Sequence, residues 1–172
     1  MELSIMYDRI TEKDIKRMEE EIEHRKLVVR KKALQDVKEA REQGDLSENF
    51  EYKAAKQFKN QNESRIRYLE RMIRTANVIS DDSNEDEVGL NDRVTIYIPE
   101  DDAEEIYKIV TTVRANTLKG LISIESPLGK ALMNHKVEDR VTVHISDTYS
   151  YDVIIKKIEK LIDDGTDKLL RF

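Results

Sequence analysis

Apolar residues in the first half of the chain recur at helical spacing along narrow stripes. From Thr11, with Asp14 three residues on as a partial capping signal, they fall at Ile15, Met18, Ile22, Val29, Ala33, Val37 and Ala40. That is a period of roughly 3.5 to 3.6 residues, with one slip near Arg25 and Lys26. A second run carries Ala55, Phe58, Ile66, Leu69, Met72, Ile73 and Ala76, of which Phe58, Leu69 and Ile73 are assigned to a helix seam. Charged residues fill the other faces. A seam this narrow packs on one partner helix rather than into a globular core, so the pattern predicts an antiparallel coiled-coil hairpin over residues 1–80. Gly44 is the only glycine or proline among the first 88 residues, and the hairpin turns there, with its tip at 44–49. Helices of about 30 residues would carry that tip roughly 45 Å from the base at about 1.5 Å per residue.

Further along, the period changes to 2. Val94, Ile96 and Ile98 alternate with Arg93, Thr95 and Tyr97, and further strands are expected at 106–110, 121–124, 141–145 and 151–155. Gly129-Lys130-Ala131-Leu132-Met133, after Pro127, reads as a short helix. Residues 89–160 are therefore expected to form a small α+β domain on an antiparallel sheet. Between the two periodic regions, residues 81–88 read as an acidic linker: 81–87 hold five acids and no apolar side chain. Residues 161–172 form a C-terminal extension that ends in Leu169-Leu170-Arg171-Phe172.

Composition narrows the function. The absence of cysteine removes disulfides, thiolate chemistry and zinc sites that need sulfur. His24, His135 and His144 are scattered, and neither a glycine-rich phosphate loop nor a Ser-His-Asp set can be singled out. Residues 1–80 carry 18 Lys and Arg against 16 Asp and Glu, whereas residues 81–172 carry 12 against 20. A near-neutral helical part followed by an acidic part argues against a free nucleic-acid binder, so any nucleic acid is expected to be presented by a partner. The first residues, Met1-Glu2-Leu3-Ser4, have no basic segment leading into an apolar one, and no stretch approaches the roughly 20 apolar residues of a membrane span. A cytoplasmic protein without membrane contact is expected.

The turn carries the candidate chemistry. Asp45-x-x-Glu48 has the spacing of a capping box, in which each side chain satisfies the other residue's backbone N–H. The same two carboxylates, at a helix N-terminus that favours the ionised form, are the oxygen donors that Mg²⁺ requires. The two readings are compatible, but two carboxylates alone make a weak metal site, and another molecule must supply the rest.

The run Ala40-Arg41-Glu42-Gln43-Gly44-Asp45-Leu46-Ser47-Glu48-Asn49-Phe50-Glu51-Tyr52-Lys53-Ala54-Ala55-Lys56 resembles the coiled-coil tip of the bacterial Gre transcript cleavage factors, and GreA more than GreB. Leu121-Ile122-Ser123-Ile124-Glu125-Ser126-Pro127-Leu128-Gly129-Lys130-Ala131-Leu132 is similar to the family's C-terminal segment, and the resemblance spans about residues 5–158. It implies a transcription elongation factor that binds bacterial RNA polymerase as a monomer. The coiled coil enters the secondary channel and stimulates the polymerase's own cleavage of backtracked RNA. The factor itself is then no enzyme: Asp45 and Glu48 are implied to be donated to a second Mg²⁺ shared with the polymerase, and no cofactor is held by the factor alone. Arg41, Lys53, Lys56 and Lys59 are implied to form a basic patch facing the RNA 3′ segment, where cations at helical spacing can follow phosphates. On their own these lysines read as a solvated face. Gly44, Asn49 and Tyr52 are implied to support the tip, with Tyr52 placed to stack on a base or pack on the first helix. The second domain is implied to have an FKBP-like fold without isomerase activity, few aromatics being available to line such a pocket, and to dock at the channel entrance.

This chain departs from the family pattern on turns. Asn134-His135 and Glu138-Asp139 stand where the family has a Gly and then a Gly-Asp pair, and Ser146-Asp147-Thr148-Tyr149-Ser150 replaces a Pro-Gly-Gly hairpin, so rebuilt loops are expected. Other readings remain open at this point. They are a paralogue that modulates or inhibits transcription without cleavage, a prolyl isomerase or chaperone with a coiled-coil handle, and a plain interaction module.

Overall fold

The computed structural model describes residues 8–45 and 48–171. The N-terminal segment, Leu46 and Ser47 of the tip motif, and Phe172 of the extension lie outside the described residues. The described chain divides into two units, Ile15–Ala76 and a second made of Asp8–Asp14 with the residues from Asn77 onward.

In the first unit the chain runs through α1 (Glu12–His24), whose first turn belongs to the second unit, then a π-helical turn at Arg25–Val29, α2 (Arg30–Arg41) and α3 (Phe50–Arg74). The π turn is the slip in the hydrophobic period: Arg30 N–H reaches back to the Arg25 carbonyl, five residues away instead of four. Asn62 of α3 donates its side-chain amide to the same carbonyl at 3.3 Å. Ala33, Val37 and Ala40 of α2 and Ile66, Leu69 and Met72 of α3 are buried along the seam. Between them the seam is polar, because Asn62 and Arg65 are buried as well. Arg65 Nε donates to Glu21 Oε1 at 2.9 Å, Arg25 Nε donates to it at 2.7 Å, and Arg30 grips Glu63 at 2.7 and 2.8 Å. Phe58, expected in the seam, is instead half exposed. The inward positions of α3 run Tyr52, Ala55, Lys59, Asn62, Ile66 and Leu69. A polar residue at 62 hides that register from a purely hydrophobic pattern.

In the second unit a short parallel pair joins β1 (Arg9–Ile10) to β2 (Asn77–Val78). The main sheet holds β3 (Arg93–Ile98), β4 (Ala103–Val110), β5 (Leu121–Ser123), β6 (Arg140–His144) and β7 (Ser150–Glu159) in the order β5-β4-β3-β7-β6. Its pairs are antiparallel except β4 with β5, which is parallel and departs from the antiparallel expectation. Residues 111–120 link those two strands through two 3₁₀ turns, and a connection of that kind lets β5 return in the direction of β4. The apolar face, including Val94, Ile96, Ile109, Val141, Val153 and Ile155, shares one core with Leu132 of α4 (Pro127–Leu132). Gly129 lets α4 come close to the sheet, since a Cβ there would lie 2.0 Å from the Ser123 carbonyl oxygen.

Three polar arrangements complete the unit. Thr11 and Asp14 form a reciprocal cap at the start of α1, each side chain accepting the other's backbone N–H at 3.1 Å. Asp14 also pairs with the fully buried Arg114 at 2.8 Å. Arg114 Nη1 donates to Asn91 Oδ1 at 2.8 Å and to Asp167 Oδ2 at 3.1 Å, with Asp163 at 3.9 Å. The extension is thereby laid along the unit, and Leu170 N–H donates to the Val113 carbonyl at 2.6 Å. Finally, Lys160 Nζ donates to Ser83 Oγ, the carbonyls of Asn84 and Glu87, and Asp92 Oδ2, at 2.6 to 3.0 Å. The acidic stretch read as a linker is tied down around that ammonium.

Asn134 and Glu138, on the turns expected to be rebuilt, adopt the left-handed backbone at φ 66° and 73°. The Ser146–Ser150 loop closes on the Ser146 hydroxyl, which accepts from Tyr149 N–H at 3.1 Å.

Two stability predictions follow from these contacts. Arg114→Met leaves buried carboxylates without their cation and is expected to lower stability by about 3–5 kcal/mol, read from urea unfolding monitored by tyrosine dichroism. Glu138→Gly relieves a left-handed non-glycine residue at some cost in chain entropy, and a net gain of about 0.5–1 kcal/mol is expected in thermal melts.

Candidate functional site at the hairpin tip

Helix α2 ends at Arg41, and the chain turns through Gly44 at φ +133°, a backbone conformation that L side chains rarely adopt. Asp45 and Glu48 follow, both exposed. Helix α3 does not start on an Asp45 cap: its N-cap is Asn49, and its first residue is Phe50. The Asn49 side chain works in both directions. Its Oδ1 accepts from Tyr52 N–H at 2.9 Å, satisfying the start of α3, while its Nδ2 donates to the Ala40 carbonyl at 2.7 Å, near the end of α2. One amide therefore clamps the two helix ends together behind the acidic turn. An asparagine suits this task because it carries both an acceptor and a donor.

The cations beside the tip fall into two groups. Arg41 places its guanidinium 5.5 Å from the Tyr52 ring centroid and donates from Nη2 to the Tyr52 hydroxyl at 3.4 Å. That hydrogen bond, together with the charges of Arg41, Lys56 and Lys59, holds the Tyr52 hydroxyl below its usual range against a weaker opposing effect of burial. Arg41, Lys56 and Lys59 thus share one electrostatic neighbourhood around Tyr52. Lys53 lies apart from them, with its ammonium 5.7 Å from the Phe50 ring centroid. Phe50, which the sequence pattern singles out for no role, is 80% exposed. Its signal was its place off the inward register of α3.

Among the described residues no group of three or more His, Cys, Asp or Glu side chains is arranged to hold a metal ion. Asp45 and Glu48 offer carboxylate oxygens of the type Mg²⁺ prefers, but a complete coordination shell needs donors from a second molecule. No helix among the described residues is long and apolar enough to cross a membrane.

Both halves of the chain match family models of transcription elongation factors. Residues 9–78 match the N-terminal model of that class, and residues 82–160 match the C-terminal GreA/GreB model. The chain belongs to the GreA/GreB family of transcription elongation factors. It is 40% identical over 147 residues to transcription elongation factor GreA of Lachnoclostridium phytofermentans, covering 84% of this chain and 92% of that one. To GreA of Bacillus subtilis it is 43% identical over 127 residues, covering 74% and 81%. Among solved structures, GreA factor homolog 1 of Thermus thermophilus aligns with 90% of this chain and 100% of its own, at 25% identity and a TM-score of 0.42.

Removing the two-way clamp tests its part in the tip. Asn49→Ala is expected to cost about 1–2 kcal/mol in local stability. Hydrogen exchange should report this as faster exchange of the Tyr52 amide; unchanged exchange there would exclude the clamp.

Proposed function

We propose that this elongation factor completes the hydrolytic site of bacterial RNA polymerase when the enzyme has backtracked, by inserting the hairpin through the secondary channel and presenting Asp45 and Glu48 to a second Mg²⁺. The observation that carries this reading is a pair of exposed carboxylates on a turn whose backbone is clamped from behind by Asn49. Membership of an elongation-factor family supports polymerase as the partner. The 25 residues of α3 correspond to about 37 Å of helix, a length suited to reaching into a channel.

In this mechanism Asp45 and Glu48 supply the oxygen donors that the polymerase site lacks, and they accept a hydrogen bond from the attacking water to orient it. Mg²⁺ bound between the two proteins supplies Lewis-acid activation of water and stabilisation of the leaving oxygen. Arg41, Lys56 and Lys59 attract the phosphates of the extruded RNA 3′ segment from the Tyr52 side. Tyr52, held by Arg41, keeps that cation in place. The nuclease activity remains the polymerase's, and the factor acts as a monomeric donor of side chains in the cytoplasm. Residues 89–160 serve to dock on the polymerase at the channel entrance.

The test is cleavage of a stalled, backtracked elongation complex. Asp45→Asn and Glu48→Gln are each expected to slow cleavage at least about tenfold, with part of the loss recovered at higher Mg²⁺ because the defect lies in ion occupancy. Circular dichroism should show both variants folded. Cleavage at the wild-type rate with both variants would overturn the proposal.

A further inference from the structure

Phe50 is the first residue of α3, and its ring is left largely exposed by the described residues of the hairpin. It lies about 200° around the helix from Tyr52, at about 100° per residue, and so points away from the inward register. Its position is nonetheless fixed. Asn49 caps the helix immediately before it, and Lys53 N–H donates to the Asn49 carbonyl at 3.2 Å, closing the first turn. Lys53 extends over the ring from one turn further on. A rigid first turn therefore presents an open aromatic face with an ammonium beside it.

The other tip aromatic is already engaged. Tyr52 is half-buried on the inward register, with the Arg41 guanidinium over its ring and bonded to its hydroxyl. Phe50 is 80% exposed, with Lys53 over one face of its ring and the other face open; its described chain neighbours are polar or charged apart from Tyr52, namely Glu48, Asn49, Glu51 and Lys53. An isolated ring among charges is poorly suited to docking on an apolar protein surface, which takes a contiguous patch. It is suited to a base, since proteins that hold single strands combine aromatic platforms with cations that meet the phosphates. There is also an electrostatic reason for stacking at this place. Asp45 and Glu48 repel an RNA backbone, whereas stacking is an attraction that carries no net charge and can hold a nucleotide close to carboxylates.

We propose that Phe50 is a substrate-contacting residue: it stacks on a nucleobase of the single-stranded RNA at the hairpin tip, and Lys53 meets the adjoining phosphate. The proposal rests on the RNA-facing reading of the tip given above and adds the residue that holds the base.

The experiment measures single-turnover cleavage of backtracked complexes on bacterial core polymerase. It compares full-length wild-type protein, Phe50→Ala and Phe50→Tyr, on RNA intact or abasic at each extruded position in turn. Phe50→Ala is expected to cleave intact RNA about tenfold more slowly, and Phe50→Tyr within about twofold of wild type, consistent with alanine substitution of stacking residues. One abasic position should bring wild type down to the Phe50→Ala rate and leave Phe50→Ala unaffected, since the two changes remove the same contact. A 4-thiouridine at that position should crosslink to the peptide that contains Phe50, in an Asp45→Asn background irradiated before the slowed cleavage consumes the RNA. Wild-type rates with Phe50→Ala would overturn the proposal. So would an equal loss on abasic RNA at every position, which assigns Phe50 to a protein contact or to folding of the tip, or an absent crosslink while wild type cleaves. If wild type itself produces no cleavage, the reading of the tip falls first and takes this one with it.

Discussion

The second unit is organised by the burial of one charge. Arg114 has no exposed surface, and a guanidinium is a permanent cation, so the fold has to bring anions to it. They come from opposite ends of the chain: Asp14 in the first turn of α1, and Asp163 and Asp167 in the C-terminal extension. Each carboxylate is itself held. Asp14 is locked by Thr11 and by the Thr111 hydroxyl at 2.7 Å, Asp163 accepts from Gly165 N–H at 3.0 Å, and Asp167 is shared with Lys108 at 2.8 Å. The start of the first helix and the last residues are therefore part of the same unit as the sheet.

The hairpin meets a related constraint in a different way. Two helices with small alanines at the seam bury little apolar surface, and such a seam sets register weakly. Here the register is fixed by polar groups that fit in only one alignment. Arg65 and Arg25 converge on Glu21, Asn62 answers the carbonyl exposed by the π turn, and Arg30 grips Glu63. Burial pushes the Glu21 carboxyl upward, but the hydrogen bonds from Arg65 and Arg25 outweigh it and hold the group below its ordinary range. Buried polar residues that specify register are the best attested use of such groups. The same alignment sets the Ala40 carbonyl within reach of Asn49, so the geometry of the tip depends on pairings far down the hairpin.

Local rules made much of this legible in the sequence. The change of period from helix to strand, the Thr11–Asp14 cap and the slip at Arg25 all express interactions within a few residues, and each stands in the structure. What stayed hidden depends on long-range partners. Asn49 displaced Asp45 as the cap because its amide has a carbonyl on the other helix to reach, a partner no local pattern reveals. Phe58 was misplaced because the seam passes through Asn62. Arg114 and Lys160 look in the sequence like any other surface cations, and only the fold surrounds them with oxygens. Asn134 and Glu138 hold left-handed turns without glycine, which a sequence pattern that expects glycine at such angles does not reveal.

At the tip, the described helix ends are held by residues other than the proposed ligands. Asn49 spends its donor and its acceptor on the two helices, Arg41 and Tyr52 engage each other, and Gly44 takes the one backbone angle that other residues resist. Asp45, Glu48 and Phe50 are exposed, and no helix cap relies on them. The first turn of α3 is thus capped by a neutral amide rather than by either acid, which suits the proposed role of the hairpin as a probe that enters a partner.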